Sequence, residues 1–184
     1  MKRAAAFLDR DGILSELVLR DGQRSSPRRL ADFKVASGAT HAVERLRQCG
    51  LSVFVVSNQP DVARGHLPAA ELEAMMQHLR ARVPVDDVMV CEHDDAEGCD
   101  CRKPKPGMLV RLAERWGVDL ERSFMVGDSW RDVGAGRSAG CRTLLIGAAD
   151  VGRPAADLVV GSLEEAVLEI ERATSRASVS EGAR

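Results

Sequence analysis

The chain has 184 residues, 45 % of them apolar and 29 % charged, and 26 basic against 28 acidic residues leave a net charge of −2. That length and balance fit one globular domain with a self-supporting core, and they exclude a disordered chain and a basic surface built to coat nucleic acid. Aromatic residues make up 3 % of the chain and tyrosine is absent, which removes the usual stacking platforms for bases.

Met1 to Arg3 precede five apolar residues, Ala4 to Leu8, too few for the core of a signal peptide. No window approaches the ~20 apolar residues of a membrane span. The expected location is therefore the cytoplasm, where the five cysteines stay reduced and are read as metal ligands or buried thiols. In chain order, short apolar runs predict strands at 4–8, 51–56, 86–90, 123–127 and 142–146, with a weaker one at 157–160. Between and after them, helical periodicity predicts helices at 38–49, 69–82, 106–116, 130–139 and 162–173. This repeated βα pattern is α/β: a doubly wound, Rossmann-like parallel sheet with helices on both faces. Neither 13–37 nor 60–90 has room for a separate cap domain, so residues 1–173 read as one domain. Residues 174–184 are small and polar and read as a disordered tail.

The polar residues that follow the strands carry the functional signal. They are Asp9-Arg10-Asp11-Gly12, then Ser57-Asn58-Gln59, then Arg102-Lys103-Pro104-Lys105, then Gly127-Asp128 with Asp132 further on. A parallel sheet collects all of these at its carboxyl edge, where open α/β folds bind ligands. Each loop alone is a common solvated turn or helix start, and it is their convergence that points to phosphoryl transfer. Asp9 is placed to attack phosphorus, and Asp11 to serve as general acid and base. Several carboxylates facing a phosphate dianion require a divalent cation, and hard oxygen ligands indicate Mg2+ with Asp9, Asp11 and Asp128 around it. Lys103 supplies fixed positive charge and the Ser57 hydroxyl a donor for the phosphoryl oxygens. A receiver-type signalling module would share acidic residues, Mg2+ and a lysine. It is opposed by the lysine following the third strand and by Asp11, which would discharge a phosphoaspartate.

The motifs D-R-D-G, S-N-Q, R-K-P-K-P and G-D-x-x-x-D, in that order, resemble those of the haloacid dehalogenase (HAD) superfamily of phosphatases. The resemblance implies an aspartyl-phosphate intermediate on Asp9, the Asp11 backbone carbonyl on Mg2+, and Asp132 as a supporting carboxylate. F-L-D-R-D-G, N-Q-x-x-x-A-R-G and C-D-C-R-K-P-K-P-G-M further resemble the D-glycero-D-manno-heptose 1,7-bisphosphate phosphatase branch, which removes the phosphate at carbon 7. Histidinol-phosphate phosphatases share much of this signature and are the second reading. The branch implies that Arg102 and Lys103 contact substrate and that Asn58, Gln59 and Arg64 frame the pocket. It also carries a Gly-Tyr-Val segment after the first motif that this chain lacks.

Cys91, His93, Cys99 and Cys101 place three thiols and an imidazole within one loop, a donor set suited to a closed tetrahedral Zn2+ site. A site without an open position is structural, so Zn2+ is expected to order a zinc-binding loop beside the cleft. Arg24, Arg28 and Arg29 lie in the 13–30 segment and could meet a second phosphate or remain solvated. The expected partner is a small phosphorylated molecule, with no nucleic acid and no membrane, on a monomeric chain.

Overall fold

The computed structural model describes residues 3–149 and 151–182. The elements in chain order are β1 (Ala5–Leu8), β2 (Val18–Arg20), β3 (Gln23–Ser25), α1 (Ala39–Gln48), β4 (Ser52–Asn58), α2 (Ala69–Arg80) and β5 (Asp87–Cys91). They continue as α3 (Gly107–Trp116), β6 (Phe124–Gly127), α4 (Trp130–Ala139), β7 (Arg142–Ile146), β8 (Leu158–Val160) and α5 (Leu163–Gly182). Six strands form one sheet in the order β5-β4-β1-β6-β7-β8, with every pairing parallel. The chain winds outward from β1 to β5, returns to the centre at β6 and winds outward again. The crevice where the strand order reverses therefore opens between β1 and β6.

Side chains of successive strand residues point to opposite faces, so each buried strand supplies two cores. Ala6, Leu8, Val53, Val55 and Val126 pack with Val43 and Leu46 of α1, Met75 and Leu79 of α2, and Val167 and Ile170 of α5. Ala5, Phe7, Phe54, Val56 and Met125 pack on the other side against Met108, Leu109 and Leu112 of α3 and Ala135 of α4. Phe7 and Phe54 are opposite each other in the β1–β4 register and their ring centroids lie 5.4 Å apart. Because β1 and β4 are apolar on both faces, they occupy the middle of the sheet, and their polar continuations, Asp9 and Ser57, reach its carboxyl edge.

The strands and helices expected from periodicity all form, with ends shifted by one or two residues, apart from the C-terminal helix. The C-terminal helix, expected at 162–173, is longer and takes in most of the segment read as a tail. Helix α5 runs on to Gly182, because no glycine or proline interrupts the chain between Ser162 and Glu181. Residues 183–184 of that tail lie outside the described residues. Strands β2 and β3 form a small antiparallel hairpin, paired from Val18 with Ser25 to Arg20 with Gln23, that periodicity did not reveal. Among the described residues no helix is long and apolar enough to cross a membrane.

Candidate active site

The backbone N–H of Asp9 donates to the Val126 carbonyl at 2.9 Å and extends the β1–β6 ladder one residue past the end of β1. The chain then turns at Gly12, where φ is 83° and an added Cβ would collide with the Asp128 carboxylate. Glycine is needed there for both reasons. Asp9 Oδ1 accepts a hydrogen bond from Lys103 Nζ at 2.7 Å, and the same ammonium donates to Asp132 Oδ1 at 2.6 Å and to the Val56 carbonyl at 2.8 Å. Lys103 is 3 % exposed and its three N–H donors are all engaged.

The partners of Lys103 are themselves held. Asn58 Nδ2 donates to the Lys103 carbonyl and Asn58 Oδ1 accepts from the Lys103 N–H, each at 3.0 Å, which clips the lysine loop to the end of β4. Asp132, in the first turn of α4, accepts from the Ser129 N–H at 3.1 Å and the Ser129 hydroxyl at 2.7 Å, closing a capping box. An added Cβ on Gly127 would strike the Asp132 side chain, so the strand-to-helix turn also depends on that glycine.

Carboxylate oxygens of Asp9, Asp128 and Asp132 all lie within 4.8 Å of one another. Three carboxylates against one ammonium leave the pocket with excess negative charge, and the titrations follow. Burial pushes Asp9 up to about 7, with Asp132 and Asp11 adding to it and Lys103 opposing it. Burial, reinforced by Asp132, lifts Asp128 to about 6. Burial alone would strip the proton from Lys103, but the Asp132 and Asp9 carboxylates outweigh it and hold the ammonium well above its ordinary value.

The Asp11 carboxylate does not join that cluster. It accepts from Arg10 Nε at 2.9 Å and Arg10 Nη2 at 2.7 Å, from the Ser15 hydroxyl at 3.0 Å and from Gln59 Nε2 at 2.7 Å. Burial pushes Asp11 up, but these donors, Arg10 foremost, outweigh it and hold the carboxyl below its usual range. Arg10 is fully buried, with its guanidinium 5.6 Å from the centre of the Phe33 ring and Nη1 without a hydrogen-bond partner. An arginine between two aspartates reads in sequence as a solvated loop residue, and its part in holding Asp11 was not foreseen.

Asp9, Asp11, Ser57, Asn58, Lys103, Asp128 and Asp132 line one cavity of about 380 Å³, walled on one side by Arg24 and Ser25 of the β2–β3 hairpin. Other expected substrate contacts are turned elsewhere. Gln59 is 1 % exposed and bridges Asp11 and Ser57 from behind the cavity wall. Arg64 is paired with Asp94 and Arg102 with Asp95, and neither lines the cavity. Arg28 is paired with Asp61, and of Arg24, Arg28 and Arg29 only Arg24 lines the cavity.

The loop between β5 and α3 gathers the second donor set. Cys91 Sγ lies 3.1 Å from Cys101 Sγ and 3.6 Å from both Cys99 Sγ and His93 Nδ1, and Cys101 Sγ lies 3.3 Å from His93 Nδ1. Zn–S bonds of about 2.3 Å give tetrahedral edges of about 3.7 Å, so the cluster has the size and donor chemistry of a closed zinc site. Cys49 is partly buried and Cys141 buried, both apart from this group.

Comparison with known proteins agrees with the fold and the motifs. A HAD-hydrolase-like family model matches residues 100–166. The D-glycero-beta-D-manno-heptose-1,7-bisphosphate 7-phosphatase of Pseudomonas aeruginosa is 38 % identical over 163 residues, covering 84 % of this chain and 89 % of that protein. The enzyme of the same name from Pseudomonas putida is 38 % identical over 145 residues, covering 76 % of this chain and 80 % of that protein. The crystal structure of D,D-heptose 1,7-bisphosphate phosphatase from B. bronchiseptica, complexed with magnesium and phosphate, superposes with a TM-score of 0.78 at 29 % identity and covers 92 % of this chain and 98 % of that one. With the strand order, the motifs and these relatives in agreement, the chain belongs to the HAD-like hydrolases, in the family that includes these heptose bisphosphate phosphatases, and is a phosphoric monoester hydrolase.

Proposed function

We propose that the chain hydrolyses D-glycero-β-D-manno-heptose 1,7-bisphosphate at the 7-phosphate and leaves the 1-phosphate in place, acting as one hydrolase domain over residues 1–173. The observation that carries this reading is the Asp9 carboxylate, fixed by buried Lys103 at 2.7 Å on the cavity floor, in a chain 38 % identical to enzymes named for that reaction. Asp9 attacks phosphorus, the O–P bond to the aspartate forms, and the bond from phosphorus to the sugar oxygen breaks. The departing oxygen takes a proton from Asp11. Water then attacks the phosphoaspartate, its proton passes to Asp11, and release of phosphate frees Asp9.

Asp11 must be protonated for the first step although Arg10 holds it ionised. An incoming phosphate dianion raises its proton affinity by like-charge repulsion and so opposes that hold. Lys103 keeps Asp9 oriented, and the Ser57 hydroxyl, which accepts from Gln59 Nε2 at 2.8 Å, is left to donate its own proton to a phosphoryl oxygen. The excess of carboxylates over ammonium fits Mg2+, for which Asp9, the Asp11 backbone carbonyl and Asp128 would be ligands. When bound, Mg2+ supplies the positive charge that lets the phosphate dianion approach these carboxylates. Cys91, His93, Cys99 and Cys101 would hold a structural Zn2+. A monomeric, cytoplasmic enzyme completes the reading.

Phosphate release from the β-heptose bisphosphate, its α anomer, histidinol phosphate and other sugar bisphosphates tests it, with the product examined for the surviving 1-phosphate. The highest kcat/KM is expected on the β-heptose bisphosphate. A higher value on histidinol phosphate, or removal of the 1-phosphate, would overturn the assignment.

A further inference from the structure

We propose that Arg24 and Arg131, reaching the catalytic cavity from two different walls, bind the phosphate of a bisphosphate substrate that is not cleaved. This rests on the reading of the chain as a bisphosphate phosphatase and names the residues that make a second phosphate count. Arg24 stands on β3 of the hairpin and Arg131 in the first turn of α4, and both line the cavity that holds Asp9 and Lys103.

Elimination among the cations singles them out. Lys103 spends its donors on Asp9, Asp132 and the Val56 carbonyl, so its charge is committed to the floor of the site. Arg28, Arg64 and Arg102 are neutralised by Asp61, Asp94 and Asp95 and lie off the cavity. Arg24 and Arg131 line it and have no ion pair with a carboxylate among the described residues. Asp95, which feels the charge of Arg131, is itself hydrogen-bonded to Arg102. A second phosphate dianion bound next to three carboxylates needs cations of its own, and a guanidinium offers it paired, parallel N–H donors.

Arg131 is also oriented before substrate arrives. Its guanidinium lies 4.8 Å from the centre of the Trp130 ring, which also carries Arg153 at 4.2 Å. Stacking engages the face of a guanidinium and leaves its N–H edge available to an anion. On the opposite strand-derived wall, Arg20 Nη2 donates to the Ser26 carbonyl at 3.0 Å and pins the end of the hairpin beside Arg24. Ser25 and Ser26 line the same cavity and add neutral donors to that wall.

The test compares the heptose 1,7-bisphosphate with the same sugar carrying only the 7-phosphate, using Arg24→Gln, Arg131→Gln, the double variant and Arg131→Lys. Both positions are exposed, so melting temperatures should match the parent. For each Gln variant kcat/KM on the bisphosphate is expected to fall roughly tenfold or more, through KM, the scale of a lost charge-assisted hydrogen bond. Turnover of the monophosphate should stay within about twofold, as expected for a contact absent from that substrate. Arg131→Lys, which keeps the charge without the stack, should lie between parent and Arg131→Gln. Equal losses on both substrates, or none on either, would overturn the assignment of Arg24 and Arg131 while leaving the bisphosphate reading standing. A parent enzyme that does not favour the bisphosphate over the monophosphate would overturn that reading and this inference together.

Discussion

Replacing Asp9 by Asn keeps a side chain that can accept the hydrogen bond from Lys103 but removes the oxygen anion that attacks phosphorus. Phosphatase activity of Asp9→Asn is expected to fall at least ~10³-fold, while the melting temperature at pH 8 holds or rises because a buried charge is gone. Activity within tenfold of the parent would remove Asp9 from its assigned role. Lys103→Met does the reverse: it leaves Asp9 and Asp132 buried with no cation between them. Loss of one partner from a buried ion pair costs about 3–5 kcal/mol, so urea unfolding at pH 8 should show a destabilisation of that order. At this scale the aspartates, Ser57 and Lys103 were legible because each follows an apolar run that could only be a buried strand or begins the next helix. The ion pairs of Arg64 and Arg102 are not legible in the sequence, for an equally physical reason. Their partners lie 30 and 7 residues away, and only the folded loop shows that Asp94 and Asp95 meet them.

Among the elements, the central strands were the easiest to read and the β2–β3 hairpin the hardest. Three-residue strands containing Arg, Gln and Ser have neither the length nor the apolar alternation that marks a strand. The hairpin nonetheless builds a wall of the cavity, through Arg24 and Ser25. The zinc-binding loop was legible from its donors alone. It passes from Cys101 directly into Arg102 and Lys103, and Lys105 Nζ ties it further by donating to the Gly98 and Cys99 carbonyls at 3.0 and 2.6 Å. Chelation of zinc with Mg2+ replenished is therefore expected to raise KM severalfold and lower the melting temperature by only a few degrees, because of the four donors only Cys91 belongs to a strand of the sheet. Unchanged kinetics and melting, with no zinc in the purified protein, would show the thiols to be merely reduced.

Across the whole molecule, the buried acidic cluster makes stability depend on pH and on cations together. Asp9 rises from 3.8 to about 7 on folding and Asp128 from 3.8 to about 6, so the folded chain binds more protons than the unfolded one across that interval. Stability contributed by these protons is fully present below pH 3.8 and is lost as pH climbs through about 6 and 7. Mg2+ favours the ionised forms, so its stabilisation of the fold, read as a shift in melting temperature at fixed Mg2+, should be larger at pH 8 than at pH 5. A shift that is equal at the two pH values would mean the cation binds elsewhere. The sheet order carries a consequence for how the molecule is made. Strand β1 pairs with β4 through Ala5 and Ser52 but with β6 through Ala6 and Phe124, so of the six sheet strands the one translated earliest must wait for β6, more than 110 residues later, to cover its second edge. Until then a nascent half-sheet of β1, β4 and β5 leaves one edge of β1 unpaired, which is a site for mispairing and for chaperones. Asp9 and Lys103 can come together on such a half-sheet, but Asp128 and Asp132 cannot, and phosphatase activity therefore reports the arrival of the second half of the fold.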